Sequence, residues 1–220
     1  MSSILQYMSN QGVPENTIIL ILMLPIIATI IVFARQVIGI KAFGIYTSLI
    51  ITFAFLITGL SYGLIFFILI LAVGTLFRFL VRKIRLLYLP RMGIVLTAVA
   101  LSILAIFFVG SYYHQTNLLS IPIFPILIVI TLVEKFVTAQ IERGDRIAIV
   151  LTLETLVLAI VCYYMANWNF LQNLILSYPE YVLLTVILIN FGLGRWTGLR
   201  LFEYFRFKEV IKHIELPYKK

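Results

Sequence analysis

The sequence predicts an all-α integral membrane protein: a bundle of seven transmembrane helices, N-terminus outside and C-terminus inside. Three observations carry this. The 220 residues are 62% hydrophobic and only 12% charged, with a mean hydropathy of +1.09, whereas a soluble domain of this size is about a quarter charged. Seven apolar stretches approach the roughly 20 residues needed to cross a hydrocarbon core of about 30 Å. All 17 Lys and Arg residues then fall within or beside the four segments on one side of the bundle, and the other side carries only the charges of Glu15 and Glu180. Excess cations mark the cytoplasmic side of a membrane protein. The net charge of +8 therefore points to topology and to anionic lipid headgroups, not to nucleic acid.

The elements follow in order. The first span, 17–34, contains Pro25, which neighbouring helices accommodate. The residues ahead of it hold no Lys or Arg, so the charged n-region of a cleavable signal is missing and the stretch is read as a retained span. The second span is 43–60, and a tight turn at Ser61-Tyr62-Gly63 leads into the third, 64–81. The fourth covers 92–110. The fifth, 121–139, is the least convincing, because it carries Pro122, Pro125, Glu134 and Lys135; without it, however, the tail would lie outside and the charge pattern would break. The sixth is 147–165 and the seventh 181–193, with 170–177 expected as a short interfacial helix between them. The chain thus divides into a short extracytoplasmic N-terminus (1–16), a membrane domain (17–195) and a basic amphipathic cytoplasmic tail (196–220).

Two patterns hint at more than a plain bundle. "RMGIVLTAVALSILAI" from Arg91 and "RIAIVLTLETLVLAIV" from Arg146 share a leading arginine and the string IVLT, as a parallel internal repeat would. "IPIFP" before the fifth span resists regular helix, because each proline removes a donor and restricts the residue before it. "IGIKAFGIY" before the second span, with Gly39 and Gly44, is a second candidate break. Broken or re-entrant backbone at membrane depth is tolerated only where protein covers it or a cavity adjoins it.

Catalytic material is scarce. His114 and His213 have no ligand partner in sequence and read as solvated, Cys162 reads as a small buried hydrophobe, and no HExxH, GxSxG or P-loop pattern occurs. No metal, no cofactor and no enzymatic activity are expected. Glu154 is the one carboxylate well inside a predicted span. An ionisable group there costs about 2.5–3.5 kcal/mol on insertion scales, so it should face protein or water. Two readings stay open: a proton or ligand site, or a structural carboxyl hydrogen-bonded to Thr or Asn on another helix or to one of the inside arginines. Glu134 and Lys135 close the fifth span and complete, with Glu154, the candidate intramembrane polar site. Glu142, Arg143, Asp145 and Arg146 follow, Glu142 and Arg146 at the i, i+4 spacing that supports a helix. Arg82, Lys83, Arg85, Arg91, Arg143 and Arg146 are the candidate contacts for anionic lipid or a cytoplasmic partner.

The C-terminal stretch "NFGLGRWTGLRLFEYFRF" combines Gly192, Gly194 and Gly198 with Arg195 and Arg200. It is not a phosphate loop, which needs a preceding strand and a GK[ST] ending. The glycines are expected to let helices approach closely, and Trp196 suits the interfacial belt. Beyond it, Phe207, Val210, Ile211 and Ile214 at helical spacing, with Arg206, Lys208 and Lys212, predict a basic amphipathic helix for anionic lipid or a partner.

Gly194, Arg195, Trp196, Thr197, Gly198 and Arg200 match a glycine-arginine-aromatic-threonine-glycine motif followed by arginine. With "GIKAFGIYTSLIITFAF", "LPRMGIVLT" and "IFPILIVITLVEKF" followed by "ERG", in that order, the chain resembles the bacterial family of seven transmembrane helices usually fused to an inactive transglutaminase. The resemblance implies a multi-pass protein of the bacterial cytoplasmic (inner) membrane. It also implies a link to an ATP-grasp ligase similar to glutamate ligases. The family's extracytoplasmic transglutaminase-like part has no counterpart ahead of the first span, so a separate protein is expected to supply it. A weaker likeness is to the small membrane subunit of capsular polyglutamate synthesis. The implied function is a non-catalytic membrane subunit or scaffold for such a ligase, a transglutaminase-like protein or both, passing a peptide or polyglutamate-like product. The alternative is a small secondary transporter or proton-coupled channel using Glu154.

Overall fold

Every regular element among the described residues is helical. The computed structural model of the chain describes residues 7, 8, 10–82, 87–112, 123–196, 198, 200 and 201. In chain order the helices are α1 (Glu15–Phe33), extended by a π-turn at Ala34–Ile38, α2 (Ile45–Thr58), α3 (Leu60–Arg82), α4 (Tyr88–Tyr112), α5 (Ile123–Arg143), α6 (Asp145–Ala166), α7 (Asn169–Ser177) and α8 (Pro179–Gly194). Each of the seven expected stretches holds a helix. Among the described residues, five helices are long and apolar enough to cross a membrane, or six if α7 and α8 count as one broken span. The protein is a multi-pass membrane protein. α2 has 14 residues and α8 has 16, which at 1.5 Å per residue rise only about 21 and 24 Å.

Residues 1–41 with 164–220 form one compact unit, and residues 42–163 form the other. In the first, α1 packs against α7 and α8. Pro25 leaves α1 one amide short, and the Thr29 hydroxyl donates to the Pro25 carbonyl at 2.8 Å. Asn190 then donates to the Thr29 hydroxyl at 2.6 Å and to the Val186 carbonyl, while Gln36 donates to the Leu193 carbonyl. These side chains tie α8 to α1 where apolar packing alone would let the helices slide. α7 stops at Ser177 because Pro179 pushes Tyr178 out of helical backbone, to φ −135° and ψ 59°. The chain bends there by 107°. The expected short helix at 170–177 is thus present as α7.

In the second unit α5 lies at the centre. Val133 and Val137 are fully buried, and half of its apolar stretch is covered by protein, against 28% for α3 and for α4. The charged residues that made the fifth span look least convincing, Glu134 and Lys135, lie on the exposed side of the helix. α3 meets its neighbours through glycine. A Cβ at Gly63 would stand 2.5 Å from the Phe55 ring on α2, and one at Gly74 would stand 2.5 Å from Val133 on α5. The edge-to-face pairs Phe55–Phe67 and Phe66–Phe107 pack beside these approaches.

Several expectations change. Close approach falls to Gly63 and Gly74; among the described residues nothing lies within 4 Å of a Cβ at Gly192 or Gly194, because this part of α8 is exposed. The turn before α3 is made by Gly59 at φ +79°, and Ser61-Tyr62-Gly63 already belongs to the helix. Pro125 does not break α5, since it sits in the first turn, where its missing N–H has no helical partner to lose. Glu142 and Arg146 do not share a helix: Gly144 at φ +91° separates α5 from α6. The two IVLT strings also pack differently. Met92, Val95 and Ala98 are buried on α4, but their counterparts Ile147, Val150 and Leu153 are exposed on α6. The buried faces are a residue out of register, so the shared letters do not extend to shared packing.

Candidate functional site

The site grows from a break in the backbone. α2 begins only at Ile45, so Ala42, Phe43 and Gly44 run non-helically before it. Gly44 caps the helix at φ +134°, a conformation that glycine adopts without a Cβ clash. Ala42 has φ +34° although it is not glycine, and a left-handed L-residue costs roughly 1–2 kcal/mol. The amides of this stretch have no helical carbonyls to donate to, and an unpaired buried N–H costs about 1–3 kcal/mol.

α6 supplies the acceptors. The Ala42 N–H donates to Glu154 Oε2 at 3.0 Å, and the Phe43 N–H donates to Thr155 Oγ1 at 3.0 Å. Thr155 is fully buried, and its own hydroxyl donates to the Leu151 carbonyl at 2.6 Å. That hydroxyl therefore donates one hydrogen bond and accepts another. Consecutive residues on α6 grip consecutive amides of the break, and the Glu154 bond is charge-assisted when the carboxyl is ionised.

α5 adds a cation to the same stretch. Lys135 Nζ donates to Thr47 Oγ1 in the first turn of α2 at 2.8 Å. An ammonium at a helix N-terminus opposes the helix dipole, so the contact is held by a hydroxyl acceptor and not by a favourable field. The inner face of α2 continues as Ser48 and Thr52, both fully buried, which donate back to the Gly44 and Ser48 carbonyls. Cys162 lies buried with its thiol against Thr52. The result is a polar seam along α2, with the half-buried Glu154 on residue 42 and the exposed Lys135 on residue 47.

Of the residues singled out from sequence, Glu154 and Lys135 come to one short segment, each on a different residue of it. Glu134 is on the exposed side of α5. Arg143 and Arg146 are exposed on either side of the Gly144 break, Arg82 closes α3, and Arg91 is half-buried near the start of α4. Arg195 caps α8 and lies 4.4 Å over the Phe191 ring, while Trp196 is half exposed beside Gly198, with Arg200 exposed beyond. Lys83, Arg85, Thr197, His114, His213 and the expected amphipathic tail lie outside the described residues.

Sequence reasoning missed Thr47 and Thr155, whose hydroxyls look like any others in a span. It also missed Arg78, which pairs with Asp145 at 2.6 Å, and the α1–α8 ties through Gln36 and Asn190. Asn190 could have been found: an amide inside "VILINFGLG" must bond to protein or pay a desolvation cost.

The arrangement holds backbone; it presents no nucleophile beside a base. Among the described residues no three His, Cys, Asp or Glu side chains gather as a metal site would require. No curated protein and no solved structure matches the chain. One family does: the sequence profile described as "7 transmembrane helices usually fused to an inactive transglutaminase" matches residues 5–211. With that match running through every helix described above, the chain belongs to this family of seven-transmembrane-helix domains.

Proposed function

We propose that the protein is a non-catalytic membrane subunit that scaffolds a cytoplasmic, glutamate-ligase-like ATP-grasp enzyme, an extracytoplasmic transglutaminase-like protein, or both. In this reading all seven stretches span a bacterial cytoplasmic membrane, the N-terminus is outside, and the basic segments face the cytoplasm. The observation that carries it is Glu154. The single carboxylate well inside a span accepts the amide of Ala42, a structural duty that holds α2 in place. Family membership adds support, because the domain is usually fused to a transglutaminase that is itself inactive.

The test is purification of the tagged chain from native membranes in mild detergent. An ATP-grasp ligase should be recovered in stoichiometric amount, and charge reversal of Lys83, Arg85 and Arg143 together should cut its recovery roughly tenfold, equivalent to about 1.4 kcal/mol. Undiminished recovery by the reversed chain would remove the electrostatic dock.

One observation favours a second reading, a proton-coupled transporter. Glu154 sits against a strained, non-helical segment in front of a short apolar helix, the kind of interruption that forms substrate sites in transporters. Proteoliposomes decide it: Glu154→Gln should abolish proton-coupled flux if the carboxyl carries protons and leave it unchanged if the carboxyl is structural.

A further inference from the structure

α5 carries an exposed stripe opposite the face that buries Val133 and Val137. Phe124, Leu127, Thr131, Glu134 and Ile141 are exposed along it, and Thr138 is half-buried. Their spacings alternate between three and four residues. That is the a and d pattern of a left-handed coiled-coil seam, and it puts Lys135 at the flanking e position. The Thr131 hydroxyl donates to the Leu127 and Ile128 carbonyls, so it adds bulk to the stripe and spends its proton inside α5.

A stripe that faced lipid would be apolar along its length, and this one has a carboxylate in it. α5 runs on from Glu134 to Arg143, about 14 Å of helix axis, against roughly 15 Å for half a hydrocarbon core. Ionisable groups at such depth face protein or water and pair with one another. The Glu134 carboxylate nevertheless joins no hydrogen bond or ion pair among the described residues. Lys135 is exposed beside it and spends one N–H on Thr47 Oγ1 at 2.8 Å, out of the three that an ammonium carries. Adjacent residues of a helix point in different directions, so Glu134 and Lys135 of one chain do not satisfy each other.

Two copies inserted in the same direction hold these residues at the same depth. In a parallel coiled-coil seam, a d residue packs beside the e residue of the facing helix. A two-fold axis along the membrane normal therefore sets Glu134 of each copy beside Lys135 of the other, a contact that is self-complementary. We propose that the exposed stripe of α5 is a homodimer interface, closed by two reciprocal Glu134–Lys135 ion pairs. Charge complementarity selects a second copy as the occupant, because the stripe brings both the unpaired carboxylate and the ammonium that answers it. The proposal does not rest on the scaffold reading, since it concerns copies of this chain alone.

The experiment co-expresses two differently tagged copies of the full chain and measures, in mild detergent, how much of one is recovered with the other. Wild-type copies should be recovered together. Glu134→Lys in both copies, or Lys135→Glu in both, should cut recovery roughly tenfold, the size of an interhelical polar contact. Glu134→Lys in one copy with Lys135→Glu in the other makes the charges complementary again and should restore recovery, which a folding defect would not. A second readout uses Cys162→Ala chains with one new cysteine. Thr131→Cys should form a disulfide-linked dimer in native membranes under mild oxidation, and Leu153→Cys, exposed on α6, should not. Wild-type copies that fail to co-purify, as when lipid or another protein covers Glu134, would overturn the proposal. So would recovery unchanged by the reversals, a mixed pair no better than the matched variants, or equal cross-linking at 131 and 153.

Discussion

Two of the breaks in helical backbone within residues 42–163, the one before α2 and the one between α5 and α6, are treated differently by the chain. Before α2, the freed amides of Ala42 and Phe43 are taken by Glu154 and Thr155, and Lys135 reaches the first turn of the helix. Every polar group named there has a partner inside the protein. Between α5 and α6, Gly144 turns the chain, Arg78 pairs with Asp145, and the buried Gln140 Oε1 lines a cavity of about 300 Å³ without a partner among the described residues. Both breaks use glycine at positive φ, so glycine alone does not announce a site. What separates them is polar satisfaction: the first break is closed on itself, and the second leaves the buried Gln140 Oε1 without a partner among the described residues.

The difference can be broken from the closed side first. Glu154→Ala removes the acceptor for the Ala42 amide and should cost about 1.5–3 kcal/mol, the range for hydrogen bonds to charged groups, seen as a lower midpoint of unfolding in detergent. Thr155→Val keeps the shape but strands the Phe43 amide; a loss of about 1–2 kcal/mol is expected in the same assay. Ala42→Gly goes the other way. It relieves the left-handed strain at φ +34° and should stabilise by about 1 kcal/mol or less, so a destabilised variant would show that the strain is not there. The smallest effect belongs to the open side. Asp145 is 63% exposed in its pair with Arg78, and Asp145→Asn should change stability by less than about 1 kcal/mol.

How much of this was readable beforehand depends on distance along the chain. The apolar stretches, the interruption at Gly44, the short helix before Pro179 and the unusual position of Glu154 are local signals, and each appeared where local chemistry put it. The acceptor relationship between Glu154 and Ala42 joins residues 112 positions apart, and no spacing rule encodes such a pair. Gly63 and Gly74 were likewise indistinguishable from Gly192 and Gly194 until the neighbouring Phe55 and Val133 were in place. The low apolarity of the fifth stretch was visible but read as weakness; half of its apolar window is nonetheless covered by protein, while Glu134 and Lys135 lie on the exposed side. Glu142 and Arg146 mislead in the opposite way, since their helical spacing says nothing of the Gly144 break between them.

The central claim is that Glu154 serves as an acceptor that latches the backbone before α2, which is what a scaffold requires and a proton carrier does not. Amide hydrogen exchange of residues 42–47 in nanodiscs tests it directly, comparing wild type with Glu154→Gln and Glu154→Ala. The account predicts that Gln, which keeps a carbonyl oxygen for the Ala42 amide, preserves protection close to that of wild type, and that Ala loses it at residues 42 and 43 first. Equally fast exchange in the Gln and Ala variants, or protection unchanged in both, would contradict it.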